Sequence, residues 1–141
     1  MRLVLDTSVI VSAFRSKSGA SYRLLELFDE DRYHLVATPT LFKEYETVLS
    51  RPEQVAVHRL SPRQLDAALK DIASRLLPVK VYFQWRPQLR DADDELVLEA
   101  AINGLADALV THNVRDFLPA ASNFGIEVMT PGRIIKERFT R

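Results

Sequence analysis

The 141-residue chain has no cysteine, which excludes a disulfide scaffold and a zinc site built from thiolates. It has only four glycines, and it lacks a Gly/Ser linker, an internal repeat and a low-complexity tract. No apolar run approaches the ~18 residues of a membrane-spanning helix, and no signal peptide is recognisable. We therefore expect a single soluble domain over residues 1–141, located in the cytoplasm, where a chain without cysteine suits the reducing conditions.

Neither sign of charge is in excess, because 19 Lys and Arg residues balance 19 Asp and Glu residues. This balance excludes a nucleic-acid binder that depends on a large overall positive charge. A local basic patch stays open, since 14 of the 19 basic residues are arginine, whose side chain suits bidentate contacts to phosphate. With 47% hydrophobic residues, the chain has enough apolar side chains to form a folded core.

Short apolar runs alternate with segments of helical periodicity, a pattern that predicts an α/β protein with a mainly parallel sheet. The predicted strands are residues 3–6, 34–38, 79–83, 108–111 and 126–129. The predicted helices begin at about Tyr22, at about Thr40, after a cap at Ser61, at about Asp93 and at Pro131. The helix from Asp93 is expected to end at Asn103 and Gly104, where the glycine supplies the stop.

Asp6 is the first candidate for a functional residue, because it ends the apolar strand 3–5. A buried carboxylate without a partner is costly, so an acid at this position indicates that something is bound there. In parallel α/β sheets, ligands bind outside the carboxyl ends of the strands. The simpler alternative is that Asp6, Thr7 and Ser8 only cap a following helix.

Two further acids belong to predicted helices. Asp94 shares a helical face with Leu98 and Ala101 at positions i, i+4 and i+7, so it should project toward the core from the start of its helix. Glu44 lies in the helix after the second strand, on a wheel with buried apolar residues. For Glu44 taken alone, a solvated helix position is the simpler interpretation.

The remaining polar groups flank the fourth strand and open the helix before it. Asn113 and Asp116 follow Thr111, which ends that strand, and the alternative for both is a role in a turn. Asp91 and Asp93 we interpret as first-turn acids that favour the helix dipole. Strands one and four are neighbours in a doubly wound sheet, so the acids at their ends should converge at one edge.

Converging carboxylates repel one another, and they coexist at neutral pH only if some are protonated or a cation lies among them. Mg²⁺ and Mn²⁺ are hard ions that take oxygen ligands and retain water. Such a site suits phosphodiester hydrolysis, in which one metal activates water and a second, roughly 3.5–4 Å away, stabilises the leaving oxygen. This chemistry needs no protein nucleophile, which agrees with the absence of cysteine and of a Ser-His pair.

In order and spacing, several segments resemble the PIN-domain family over essentially the whole chain. They are residues 5–9, Glu44, residues 91–101 and residues 106–117. The double-acid stretch and the segment 49–52 resemble the VapC-type toxin components of toxin–antitoxin pairs. The resemblance implies a metal-dependent ribonuclease on a three-layer α/β/α sandwich with a mainly parallel five-stranded sheet.

Carried over position by position, Asp6, Glu44 and Asp94 match the acidic metal ligands of the family. The positions that match its supporting hydroxyl residues are Thr7, Ser8 and Thr111. Asn113 stands where the fourth acid often falls, and Asp116 matches a further acid three residues later. Since an amide brings no charge, a second metal should bind more weakly. We therefore expect one tight metal, with a second that arrives with the substrate.

The leading hypothesis is an endoribonuclease for single-stranded or loop RNA, in which Asp6, Glu44, Asp94 and Asp116 are the catalytic acids. If it is a toxin, a cognate antitoxin should bind near the carboxylates. A homodimer is expected, with the region 82–85 as a candidate contact.

The aromatic and basic stretch 82–90 also has the composition to stack bases, although an edge strand with a dimer contact is the preferred interpretation.

Two other functions fit parts of the sequence. One is a catalytically weak scaffold of the same fold that binds RNA or a protein partner, which the amide at Asn113 would suit. The other is a phosphatase or a phosphoryl-receiver domain, which also begins with an acid at a strand end. Dehalogenase-type phosphatases need a second Asp where this chain has Ser8, and receivers need a Lys that neither Thr111 nor Thr130 has beside it.

Overall fold

The computed structural model describes residues 1–84 and 88–139. Within them, five parallel strands form a sheet in the order β3-β2-β1-β4-β5. The strands are β1 (Arg2–Leu5), β2 (His34–Ala37), β3 (Leu77–Pro78), β4 (Ala108–Val110) and β5 (Glu127–Met129). The prediction of an α/β fold with a parallel five-stranded sheet is therefore confirmed.

Helices connect the strands. They are α1 (Thr7–Arg15), α2 (Ala20–Asp29), α3 (Pro39–Leu49), α4 (Pro52–His58), α5 (Pro62–Arg75), α6 (Ala92–Asn103), α7 (Val114–Asn123) and α8 (Pro131–Ile134), which a π-helical turn (Ile135–Phe139) continues. The predicted cap at Ser61 forms a full capping box with Gln64 at the start of α5. Over the described ranges, none of these helices combines the length and apolarity that crossing a membrane requires.

Both faces of the sheet are covered. Leu3, Val4 and Leu5 in β1 have no exposed surface, and successive residues of a strand point to opposite faces. Such a strand must have helices packed on both sides, as parallel sheets usually do. Right-handed crossovers place α1 to α5 on one face and α6 and α7 on the other, which gives the three-layer sandwich.

β1 and β4 lie side by side at the centre of the sheet, with Leu3 opposite Ala108 and Leu5 opposite Val110. The chain leaves β1 toward β2 and leaves β4 toward β5, so the connections diverge at this point. A crevice opens at such a switch point, outside the carboxyl ends of the two strands. The predicted adjacency of the first and fourth strands is correct, and it positions the site described below.

The third strand was predicted wrongly. β3 covers only Leu77–Pro78, and the predicted strand 79–83 has no strand structure. The Val79 N–H donates to the Ala37 carbonyl across 3.0 Å, so the chain still follows β2 for one more residue. The alternation of apolar and polar residues in 79–83 is typical of an edge strand, but the backbone of this segment does not pair with the sheet beyond Val79.

A helix side chain, not a strand, holds the segment after β3. The Oδ1 of Asn103 accepts hydrogen bonds from the N–H groups of Tyr82 (2.8 Å) and Phe83 (2.9 Å), and its Nδ2 donates to the Phe83 carbonyl (2.9 Å). Tyr82 and Phe83 are largely exposed. Trp85, which completes the candidate dimer contact, lies outside the described residues.

Three helices were not predicted. They cover residues 7–15, 52–58 and 114–123. Asp116 lies in the first turn of α7, so the alternative of a turn is wrong for this residue, whereas Asn113 directly precedes the helix.

α6 ends at Asn103 as predicted, but the reason for Gly104 is different. Gly104 has φ −86°, which any residue adopts. A Cβ at this position would meet the Ala100 carbonyl oxygen at 2.8 Å and Cγ2 of Val79 at 3.0 Å. Glycine is therefore needed here because the helix end packs closely against its neighbours, rather than for a left-handed turn.

Candidate active site

Asp6 lies at the point where β1 becomes α1, and its carboxylate is buried, with 5% of the residue exposed. Its N–H donates to the Val110 carbonyl (2.9 Å), which extends the pairing of β1 with β4. It occupies the N-cap position of α1, yet its side chain makes no capping hydrogen bond. Instead, Ser8 Oγ (2.8 Å) and Thr111 Oγ1 (2.7 Å) both donate to its Oδ2. The carboxylate is therefore held in place by two hydroxyl groups and does not serve as a helix cap.

Thr111 connects the two central strands at their carboxyl ends. It is fully buried just past β4, and its N–H donates to the Met129 carbonyl of β5 (2.9 Å). Its Oγ1 donates to Asp6 and accepts a hydrogen bond from the N–H of Asn113 (2.9 Å). A threonine suits this position because a hydroxyl group both donates and accepts. It thereby links the Asp6 carboxylate to the backbone at the start of α7.

Asp94 lies in the first turn of α6, half-buried, as its predicted inward orientation requires. Burial, followed by the charges of nearby acids, raises the pKa of its carboxyl to about 6. Those acids are, in order of effect, Asp6, Asp91, Asp116 and Asp93. Asp94 therefore lies in a strongly negative environment to which β1, α6 and α7 all contribute.

Glu44, on α3, is also half-buried and has a raised pKa. Burial is the largest cause, the charge of Asp93 is the next, Arg51 opposes them, and Asp91 adds a smaller effect. The acids that act on Glu44 are thus Asp93 and Asp91, both of which also act on Asp94.

Asn113 and Asp116 come from the start of α7 and are both exposed. The Asp116 N–H donates to the Asn113 carbonyl (3.0 Å), but the Asn113 side chain does not cap α7. Asp116 acts on the pKa of Asp94, whereas Asn113 is connected to the site through its backbone contact with Thr111.

A cleft of about 440 Å³ opens beside these acids. One wall is the segment before and at the start of α6, including Arg90, Asp91 and Asp94. The other wall is α7, including Arg115 and Asp116. The acids of α6 and α7 thus face one solvent-accessible space that also contains two basic side chains.

The predicted ligands do not form a complete coordination sphere. In residues 1–84 and 88–139, no three His, Asp or Glu side chains are arranged so that they could hold a metal ion. The charges nevertheless suit a dication, because the repulsion that raises the pKa of Asp94 is relieved when a cation joins the carboxylates. The oxygen donors are also of the type that Mg²⁺ and Mn²⁺ prefer.

Some residues of the site were discounted or missed from the sequence. Asp91 and Asp93 were interpreted as favouring the helix dipole. The Asp91 side chain does cap α6 by accepting from the Asp93 N–H (2.8 Å), but both acids also contribute to the field at Asp94 and Glu44. First-turn acids give one sequence signal for both roles, so only their positions in space separate them.

Tyr45 of α3 has a polar role near the site. It is buried, and its hydroxyl donates to the carbonyl of Leu5, the residue before Asp6. Burial and the charge of Asp6 raise its pKa well above the ordinary range, so the hydroxyl keeps its proton. No sequence signal distinguishes this tyrosine from a purely apolar core residue.

Comparison with known proteins identifies a matching family and similar structures. Residues 2–115 match the family model described as PIN domain. A chain in the crystal structure of VapBC2 from Rickettsia felis bound to a DNA fragment from their promoter superposes with a TM-score of 0.60 at 19% identity, over 91% of this chain and 97% of that chain. FitAcB from Neisseria gonorrhoeae gives a TM-score of 0.54 at 16% identity, over 92% and 98%. No curated protein sequence matches the chain.

Proposed function

Because the chain belongs to the PIN domain family, whose model matches residues 2–115, we propose that it is a divalent-metal-dependent endoribonuclease. The reaction is hydrolysis of phosphodiester bonds in single-stranded or loop RNA of the cytoplasm. PIN domains are generally nucleases, so the family supports the reaction class.

The observation that carries this proposal is the acidic field around Asp94. A raised pKa of about 6, caused partly by four neighbouring carboxylates, is the response expected of a cation site without its cation. We assign Asp6 and Asp94 as the main ligands of Mg²⁺ or Mn²⁺. Glu44 would bind directly or through water, and Asn113 and Asp116 would complete a weaker outer position.

The protein residues have separate tasks in this proposal. Ser8 and Thr111 fix the Asp6 carboxylate, so that a ligand oxygen is oriented before the substrate binds. Thr7, half-buried at the start of α1, would support the site beside Asp6. The divalent ion supplies a lowered pKa for the attacking water and positive charge for the phosphate. The cleft between α6 and α7 gives the RNA backbone access to these groups.

The test is RNA cleavage by the purified protein in Mg²⁺, in Mn²⁺ and in EDTA. Asp6→Asn and Asp94→Asn should each lose at least about 100-fold in rate, since each removes a charged ligand. Asp66→Asn is the matched control, because Asp66 is an exposed acid of α5 whose only ion pair in the described structure is with Lys70. If the two site variants cleave RNA as fast as the wild type, the activity belongs to a contaminating nuclease and the proposal is wrong.

We also propose that the chain is the toxin of a toxin–antitoxin pair. The support is its resemblance to VapC-type toxins, together with the fold it shares with chains of VapBC2 and FitAcB. A cognate antitoxin would then cover the carboxylate edge, and two copies of the chain would form a homodimer. Induced expression of the wild type should arrest growth, and Asp94→Asn should not. Equal growth of the two strains would contradict the toxin role.

A second function has one observation in its favour. The absence of three converging acids among the described residues, together with the amide of Asn113, fits a scaffold of this family that binds RNA or protein with weak catalysis or none. Calorimetry separates the two. Heat of Mn²⁺ binding that disappears in Asp94→Asn supports the enzyme, and the absence of such heat in the wild type supports the scaffold.

A further inference from the structure

Two arginines on opposite walls of the acidic cleft have no assigned role. Arg90 lies on the segment that leads into α6, and Arg115 lies in the first turn of α7. Both are exposed, and in the part of the chain that the structure describes neither forms an ion pair. Arg75 and Arg138, in contrast, do form ion pairs, with two acids and with Glu127 respectively, whereas Arg63 on the exposed side of α5 forms none among the described residues.

These two side chains remain unpaired although acids lie within the same cleft. Asp91, Asp94 and Asp116 line it with them. Two guanidinium groups beside a cluster of carboxylates, and not neutralised by it, are available for an anionic ligand that spans the cleft.

A buried acid holds the segment that carries Arg90 and leads into α6. Glu95 of α6 is 6% exposed, and its Oε1 accepts hydrogen bonds from the N–H groups of Gln88 (2.5 Å) and Leu89 (2.6 Å). These are the two residues before Arg90. A carboxylate that receives two backbone N–H groups sets the path of that segment, and so the position from which the Arg90 side chain extends.

We propose that Arg90 and Arg115 bind the phosphates of single-stranded RNA on the two sides of the acid cluster, and that Glu95 is the positioning residue for Arg90. This inference rests on the proposed function, because it takes RNA as the ligand of the cleft. The inference adds a direction to the proposed function: the RNA backbone runs across the cleft from the segment before α6 to α7, past Asp94 and Asp116. Two cationic contacts offset the repulsion that these acids exert on a phosphate.

The experiment measures binding separately from cleavage. A fluorescein-labelled single-stranded RNA is titrated with protein in EDTA, which prevents metal-dependent hydrolysis, and anisotropy gives Kd at several salt concentrations. Arg90→Ala and Arg115→Ala should each raise Kd about tenfold, the effect of one lost charge-assisted contact. Each should also lower the slope of log K against log salt by about 0.7, the value for one phosphate contact on a single strand. Arg63→Ala, at an exposed position of α5, should match the wild type.

Glu95 requires a pair of variants, because removal of a buried acid can disturb folding. Glu95→Gln keeps a carbonyl oxygen for the two N–H groups and should bind RNA almost as the wild type does. Glu95→Ala should raise the Kd for RNA as much as Arg90→Ala does. The double variant that carries both changes should bind RNA no more weakly than either single variant. Circular dichroism of each variant checks the fold. An Arg115→Ala effect that persists in the Glu95→Ala background shows that the other wall is intact.

The outcomes distinguish this inference from the nuclease. If both arginine variants bind RNA with the Kd and salt slope of the wild type, or if the wild type does not bind RNA, the inference is wrong. If the wild type binds RNA through these arginines but cleaves none with Mg²⁺ or Mn²⁺, the nuclease is wrong and the inference stands. If the Glu95→Ala and Arg90→Ala effects add, Glu95 does not act through Arg90.

Discussion

The hydroxyl of Thr111 donates to Oδ2 of Asp6 across 2.7 Å and so joins the carboxyl ends of β4 and β1. The two residues are 105 positions apart in the chain, yet the register of the two strands brings them together. Since the Thr111 hydroxyl also accepts from the Asn113 N–H, one side chain fixes both a carboxylate and the start of α7.

Replacement of Thr111 by valine, which has nearly the same shape, should therefore lower both stability and activity. It leaves the buried Asp6 carboxylate with one hydrogen bond fewer and the Asn113 N–H without its acceptor, at a cost of about 1–3 kcal/mol. Urea denaturation measures the change in the free energy of unfolding, and RNA cleavage measures the rate. Thr47→Val, at an exposed position of α3, should change stability by less than about 0.5 kcal/mol. Equal stabilities for the two variants would show that the Thr111 hydroxyl contributes nothing.

Asp94 predicts how stability depends on pH. Its pKa is raised from 3.8 to about 6, so the folded state holds the proton more tightly than the unfolded chain does. The ionised carboxylate therefore destabilises the fold. The free energy of unfolding decreases as pH rises from the unfolded pKa to about 6, and above that pH the effect of Asp94 stays constant. Because Asp94 is only half-buried and solvent screens its charge, the full effect should be of the order of 1 kcal/mol.

Asp94→Asn should accordingly be more stable than the wild type at neutral pH in EDTA. Near the unfolded pKa the two proteins should converge, because the wild-type carboxyl is then protonated when folded. Urea titrations of both proteins at several pH values measure this difference. Asp66→Asn, which changes an exposed carboxylate, should show no comparable gain. A wild type that is the more stable of the two at neutral pH would contradict the assigned repulsion.

Divalent metal should reverse that order of stability. An ion that binds only the folded protein stabilises it by about 2.7 kcal/mol at a hundredfold excess over Kd. We expect Mn²⁺ to raise the Tm of the wild type and to have little effect on Asp94→Asn. Calorimetry without RNA should detect one tight site, because the second position has an amide where a carboxylate is usual. Two tight Mn²⁺ sites in the absence of RNA would show that the assignment of the outer position is wrong.

Asn113→Asp tests that outer position directly. The added carboxylate should make a second Mn²⁺ site detectable by calorimetry without RNA. In EDTA the same change should lower the Tm, since it adds a negative charge to a cluster that already repels itself. Asn123→Asp, at the other end of α7, is the matched control and should create no site. Unchanged metal binding in Asn113→Asp would indicate that this side chain does not take part.

Strand pattern was enough to predict the fold class, four of the five strands and the adjacency of β1 and β4. The helix α1 was missed because Val9, Ile10 and Val11 are β-branched and have low helix propensity, which tertiary packing overrides. The helix α7 contains Pro119, which ordinarily indicates a break. The alternation in 79–83 predicted a strand because the hydrogen-bonding partner, Asn103, is distant in sequence.

The proximity of some candidate acids was predictable from the sequence, but their geometry was not. Asp6, Asp94 and Asp116 do share one electrostatic environment, as their positions at strand and helix ends suggested. Periodicity places a side chain on a face, but it does not give the separation of carboxylates on different elements. For that reason the sequence did not show that the charge of Asp93 acts on the pKa of Glu44. The two arginines of the cleft likewise had no sequence signal that set them apart from other exposed arginines.

The helix α6 secures the chain on both sides of the stretch between Phe83 and Gln88. Asn103 binds the backbone before it and Glu95 binds the backbone after it. Since both attachments belong to the helix that carries Asp94, the number of residues between them is free to change without displacing that acid. Insertions or deletions between the two attachments should therefore leave Asp94 in its position at the start of α6. We expect relatives of the family to differ in length at this point more often than within α6 itself.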